Sequence, residues 1–204
     1  MADPAPEADA LPQRPVLTMP EPEAAHVAGA FAEAGVILEY GAGGSTVLAA
    51  EMPGKTVFSV ESDPAHVARL QDWFAVEPPR ADVRLHHADI GPTVEWGRPA
   101  DERAFRRWPG YPISVWDRPD FLHPDVVLID GRFRVACLLT TAFRITRPVV
   151  ALVDDYRGRK AYHAVEPFLR PAMMIGRMAR FDLEPTPFPV DRLGWVMNFY
   201  MRPV

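Results

Sequence analysis

Apolar residues in this chain come in short β-branched runs separated by stretches with helical spacing. VILEY (36–40), TVFSVE (56–61), VRLHHADI (83–90), DVVLID (125–130) and VVALVDD (149–155) each have the length of a strand. They are apolar on both faces, which suits parallel strands covered by helices on either side. The segments 45–52, 64–76, 131–146 and 158–170 supply crossover helices, with Asp63-Pro64 and Thr146-Arg147-Pro148 as start and stop signals. A helix over 22–34, ended by Gly35, leads into the first strand. Beyond Pro171 the pattern predicts a helical MMIGRMAR piece, then a closing β-hairpin of FDLEPTPFPV and WVMNFYMRPV with its turn at 191–194. Such alternation makes an α/β fold with helices on both faces of the sheet.

Residues 1–20 are rich in proline and alanine, a composition that cannot bury enough apolar surface to offset ordering, and read as a disordered tail. Residues 21–204 then form a single domain, the size expected of one doubly wound core. The stretch 91–121 is too long for a simple connection and reads as an insertion. Its Trp96, Trp108, Tyr111 and Trp116 form either a lid that excludes water or a small core of its own.

A net charge of -5 speaks against a general nucleic-acid or anionic-membrane binder. The N-terminus lacks a basic region followed by an apolar core, and no run of about 18 apolar residues occurs, so neither export nor membrane spanning is signalled. Cytoplasmic residence is the default. The single cysteine, Cys137, falls in an apolar helical stretch and reads as a buried thiol. Oligomeric state stays open, a homo-oligomer included.

Candidate chemistry begins at Glu39-Tyr40-Gly41-Ala42-Gly43-Gly44-Ser45-Thr46, set between a strand and a helix, where backbone approaches a ligand closely. A dinucleotide fingerprint starting at Gly41 would need a third glycine where Thr46 stands, which weakens pyrophosphate binding. Glu39 instead suits the amino group of a zwitterionic cofactor. Glu61, ending the second strand, suits two ribose hydroxyls. Asp89, ending the third, suits an adenine amino group, and the Ile90 backbone N–H a ring nitrogen. Tyr40, Gly41, Gly43, Ser45, Ser62 and Asp130 complete the expected cofactor set.

Through LEYGAGGST, VESDP and HHADI, in order and at the usual intervals, the chain resembles the class I S-adenosylmethionine-dependent methyltransferases. The resemblance implies a Rossmann-like seven-stranded sheet of order 3-2-1-4-5-7-6 with the last strand antiparallel. It also implies S-adenosylmethionine as cofactor, and leaves the methyl acceptor unnamed.

Asp130 and Asp154-Asp155 end the fourth and fifth strands, so three carboxylates meet at the carboxyl edge of the sheet. A magnesium ion held by all three would relieve their repulsion and orient an acceptor hydroxyl. Alternatively, Asp154 or Asp155 caps a helix and Asp130 pairs with Arg132 or Arg134. VDDYRGRKAYHAVEPFL is similar to the corresponding stretch of macrocin-type sugar O-methyltransferases. That family carries Asp-Gly-Asp on its fourth strand where this chain reads Asp130-Gly131-Arg132, and an arginine cannot act as base. Arg132 then binds an acidic acceptor or neutralises the cluster in place of a metal. Asp130 and His163 are the candidate catalytic residues, the imidazole taking a proton near neutral pH.

The reading is therefore an S-adenosylmethionine-dependent methyltransferase acting on a small-molecule hydroxyl. A cofactor-binding sensor or assembly protein without turnover is the first alternative. An NAD-dependent oxidoreductase is the second.

Overall fold

A computed structural model describes residues 12–203. Seven strands build one sheet: β1 (Val36–Tyr40), β2 (Thr56–Glu61), β3 (Asp82–His87), β4 (Val126–Ile129), β5 (Val149–Val153), β6 (Met173–Ile175) and β7 (Met178–Leu183). Their spatial order is 3-2-1-4-5-7-6, with β7 antiparallel to both its neighbours, in agreement with the expectation. The helices are α1 (Glu21–Glu33), α2 (Gly44–Ala50), α3 (Pro64–Val76), α4 (Gly110–Ile113), α5 (Arg134–Arg144) and α6 (Leu193–Tyr200). None is long and apolar enough to cross a membrane, among the described residues.

Strand side chains alternate between the two faces. Ile37, Val126 and Leu128 enter a core shared with Val27 and Phe31 of α1. Leu38, Tyr40, Val127 and Ile129 enter the opposite core, shared with Leu138 of α5 and Val196 of α6. Each fully buried aliphatic side chain contributes about 1.5–3 kcal/mol. This two-sided burial is why the runs of the central strands lack polar alternation, whereas the edge strand β3 carries Arg84 and His86 and has no buried position.

The chain beyond Val153 departs from expectation. No α-helix spans 158–170; successive turns run there, with a single 3₁₀ turn at Tyr162–Val165. Gly158 disfavours helix, and Pro167 lacks an N–H and restricts the residue before it. The expected helical MMIGRMAR is instead the β6–β7 hairpin, turning at Gly176-Arg177. The expected closing hairpin at 191–194 is replaced by α6, whose Val196, Phe199 and Tyr200 are buried. Part of the predicted tail is also packed. Residues 12–20 include the buried Met19, while 1–11 lie outside the described residues.

Residues 91–121 hold a two-residue antiparallel ladder, Thr93–Val94 with Arg98–Pro99, followed by 3₁₀ turns and α4. Trp108, Tyr111 and Trp116 form neither a lid nor a private core. They join the main core, where Tyr111 packs on Tyr40 and Phe133.

Candidate ligand-binding site

The carboxyl ends of β1 and β4 touch backbone to backbone. A Cβ on Gly41, whose φ is +99°, would lie 2.6 Å from the Gly131 nitrogen. Only two facing glycines allow this approach. It places the Asp130-Gly131-Arg132 loop against the glycine turn, beside the point where the chain passes to β2 on one side of β1 and β4 lies on the other, the usual ligand crevice of such sheets.

Glu39 lies beneath this turn. By strand alternation its side chain leaves the sheet on the α2 face, directly opposite Ser59 across the β1–β2 pair. It is fully buried and accepts hydrogen bonds from the Ser45, Thr46 and Ser59 hydroxyls, the last at 2.7 Å. Burial pushes its carboxyl up to about 7, against the pull of those three donors. The Thr46 hydroxyl also accepts from the Gly43 N–H at 2.9 Å. The residue standing in place of a third glycine is thus a brace, which the turn needs because Gly43 has no side chain to cap α2.

Above the turn opens a cavity of about 400 Å³. Gly41, Gly43, Ser45, Glu61 and Asp130 border it, together with Arg132. The Glu61 carboxylate is half committed. Oε1 accepts from the Ser62 N–H (2.7 Å), the Asp63 N–H (2.8 Å) and the Ser62 hydroxyl (3.2 Å), and Oε2 has no partner among the described residues. Arg132 is half-buried, its Nε is buried without a hydrogen-bond partner, and no carboxylate pairs with it among the described residues. Desolvation, with Arg134 nearby, lowers its pKa.

Two flanking features escaped sequence reasoning. His66 of α3 reaches the Ala42 carbonyl through Nε2 (2.9 Å), while its Nδ1 faces Arg69 Nη2 (3.0 Å). Arginine only donates, so Nδ1 accepts and Nε2 carries the proton. The signal lay one turn into α3, but only folding brings it to residue 42. Residues 15–18 also border the cavity, and a Cβ on Gly44 would lie 2.2 Å from the Leu17 nitrogen.

The remaining expected cofactor residues do not line this space. Tyr40 points to the other face, donating to the Pro112 carbonyl (2.7 Å) and accepting from Trp116 Nε1 (2.7 Å). Ser62 is buried against Glu61 and the Gly97 carbonyl. Asp89 lies beyond the end of β3, bound by the Gly91 N–H and Arg107, which hold its carboxyl below the usual range. Ile90 is buried outside the lining. Glu39, Glu61 and Asp89 therefore do not converge: the first is a support, the second borders the cavity, and the third sits at the surface. Of the aromatics in 91–121, Trp96, 71% exposed, borders the cavity.

Neither a protein-family model nor a curated protein matches the chain. Among solved structures, a methyltransferase-like protein from Silicibacter pomeroyi superposes with a TM-score of 0.90 at 52% identity, over 93% of this chain and 99% of that one. The chain belongs to the methyltransferase superfamily. The O-methyltransferase TomG from Streptomyces achromogenes, solved in complex with SAM, is similar at 16% identity with a TM-score of 0.48, over 91% of this chain and 68% of that one.

In this methyltransferase-superfamily chain the second acidic cluster is saturated by arginines. Arg177, from the β6–β7 turn, grips the buried Asp154 with Nε (3.0 Å) and Nη2 (2.6 Å) and reaches Asp155 (3.3 Å). Arg159 also meets Asp155 (3.2 Å). Arg134, 3% exposed, pairs with Asp130 (3.0 Å) and donates to the Asp130, Gly131 and Asp154 carbonyls, tying the ends of β4 and β5 together. Among the described residues no three acidic, histidine or cysteine side chains are grouped to hold a metal. The magnesium expectation for Asp130, Asp154 and Asp155 is thereby corrected, because guanidinium groups already supply the compensating charge.

His163 lies elsewhere as well. With the 158–170 helix absent, it borders a separate hollow with Tyr156, Glu166 and Arg170. Its ring stacks on Tyr156 at 4.8 Å, and Nε2 donates to the Tyr156 carbonyl at 3.0 Å. This removes it from the cavity at the glycine turn and corrects its assignment as the base.

Proposed function

We propose that this chain is an S-adenosylmethionine-dependent methyltransferase acting on a small-molecule hydroxyl. The observation that carries the reading is Glu61: a carboxylate at the end of β2, pinned through one oxygen, with the other unpartnered at a cavity floored by the glycine turn. That oxygen suits ribose hydroxyls. Gly41, Gly43 and Ser45 border the same space and suit the amino-acid end of the cofactor. When bound, the cofactor supplies an electrophilic sulfonium methyl group.

The chain's own contribution is positioning and proton transfer. Asp130 borders the cavity. Burial pushes its carboxyl up to about 6, Arg134 opposing and Asp154 and Asp155 adding to the rise. A carboxylate of that basicity accepts a hydroxyl proton near neutral pH, and Arg134 fixes its orientation. No metal enters this scheme.

Isothermal titration with S-adenosylhomocysteine tests the cofactor half, and binding in the micromolar range is expected. A folded protein that gives no heat at millimolar ligand would end the reading. One observation favours a second reading, cofactor binding without turnover: Asp130 is held by Arg134, and His163 faces a different hollow. Titratable binding with no product across hydroxylated acceptors would favour it.

A further inference from the structure

We propose that Arg132 anchors a carboxylate carried by the ligand of the glycine-turn cavity. The arginines around it are spoken for. Arg134, Arg159 and Arg177 each meet at least one carboxylate, whereas Arg132 meets none among the described residues and holds a buried, unpartnered Nε. Asp130, two residues away, is committed to Arg134. A desolvated guanidinium whose donors go unused is costly to keep, and its planar fork matches a carboxylate with two parallel hydrogen bonds.

The rest of the wall narrows the class of anion. Glu61, Asp63, Glu95 and Asp130 also border the cavity, against Arg132 and Arg69 as the arginines. A polyphosphate would meet net repulsion there. A ligand with one carboxylate and otherwise neutral or cationic groups would not. Two sources fit that chemistry: the amino-acid end of the cofactor proposed above, or an acidic acceptor.

The backbone of residue 132 is held independently of its side chain, its N–H facing the Tyr111 hydroxyl (3.4 Å) and its carbonyl the Cys137 sulfur (3.5 Å). Arg132→Gln should therefore fold, with a ligand-free melting temperature equal to or above that of the wild type. Wild type, R132Q and R132K are titrated with S-adenosylhomocysteine and with methylthioadenosine, which lacks the amino-acid end. An affinity loss of about 10- to 100-fold for the first ligand in R132Q, partly restored in R132K and absent for the second, supports the proposal with the carboxylate on the cofactor.

Unchanged S-adenosylhomocysteine binding moves the test to its saturated complex. There, 4-hydroxybenzoate and lactate are titrated; binding to wild type and not to R132Q supports the proposal with the carboxylate on the acceptor. Equal S-adenosylhomocysteine affinity with no binding of either acid overturns it. The cofactor assignment is used only in those arms. If wild type binds no S-adenosylhomocysteine, that assignment fails by itself, and the same two acids are titrated into ligand-free protein. Loss of their binding in R132Q still supports the anchor, and no binding to wild type overturns it.

Discussion

Two groups of charge lie at the carboxyl edge of one sheet and differ in how completely they are paired. At β4 and β5, Asp130, Asp154 and Asp155 meet Arg134, Arg159 and Arg177, so the cluster's charge is compensated, and of the three only Asp130 borders the cavity. At the glycine turn, Glu61 keeps one oxygen unpartnered and Arg132 keeps a buried nitrogen unpartnered, both at one cavity. Buried charges that are matched hold structure together, and those left unmatched beside a cavity are what a ligand completes. The count of acids in a sequence does not separate the two cases, because the arginine that holds the buried Asp154 comes from a turn 23 residues away.

Arg177→Ala should have the largest effect. Removing the partner of a carboxylate that is 1% exposed should cost about 3 kcal/mol or more, read as a lowered urea midpoint. A loss below about 1 kcal/mol would mean the cluster is not structural.

Next in size is the pH response of Glu39. Its folded pKa is raised from 4.5 to about 7, so the folded state holds the proton more tightly than the unfolded one. Its contribution to stability is full below about 4.5 and is lost as pH rises through about 7, a fall of roughly 3 kcal/mol at most. Glu39→Gln mimics the protonated form. The difference in unfolding free energy between variant and wild type should therefore grow in the variant's favour from pH 4.5 to 7. A constant difference across that range would count against the buried, proton-holding Glu39.

Glu61→Gln should instead leave stability within about 1 kcal/mol, since an amide oxygen still accepts the Ser62 and Asp63 N–H groups. It should weaken S-adenosylhomocysteine by about 10-fold or more. Equal affinities would place the ribose elsewhere. The smallest expected effect is that of a chelator: melting curves with magnesium and with a strong chelator should overlay. A magnesium-dependent rise in melting temperature would reopen the cluster as a metal site.

Much of the frame was legible because strands buried on both faces leave apolar runs that nothing else explains. The extents of β1, β2 and α3 agree with the periodicity. The C-terminal third was misread for a local reason. In MMIGRMAR the spacing of apolar residues fits a helix, yet a glycine beginning a two-residue turn between apolar pairs is a hairpin signal and prevails. In 158–170, Gly158 and Pro167 outweighed an otherwise helical pattern. At the site, Gly41, Gly43, Ser45, Glu61 and Asp130 were legible as a group bordering one space, whereas His66 and residues 15–18 were not, since their proximity arises only on folding.

The α/β sheet, the segments that form its central strands and the glycine turn after the first of them can all be read from the residues in order. Periodicity and local turn chemistry act over a few residues and can be read in place. Folding alone brings Glu39 beneath the turn and Arg177 to Asp154, and leaves Arg132 without a carboxylate partner among the described residues. Charge pairing depends on which side chains the packed strands and loops bring within about 4 Å of each other, and that distance is set across the chain.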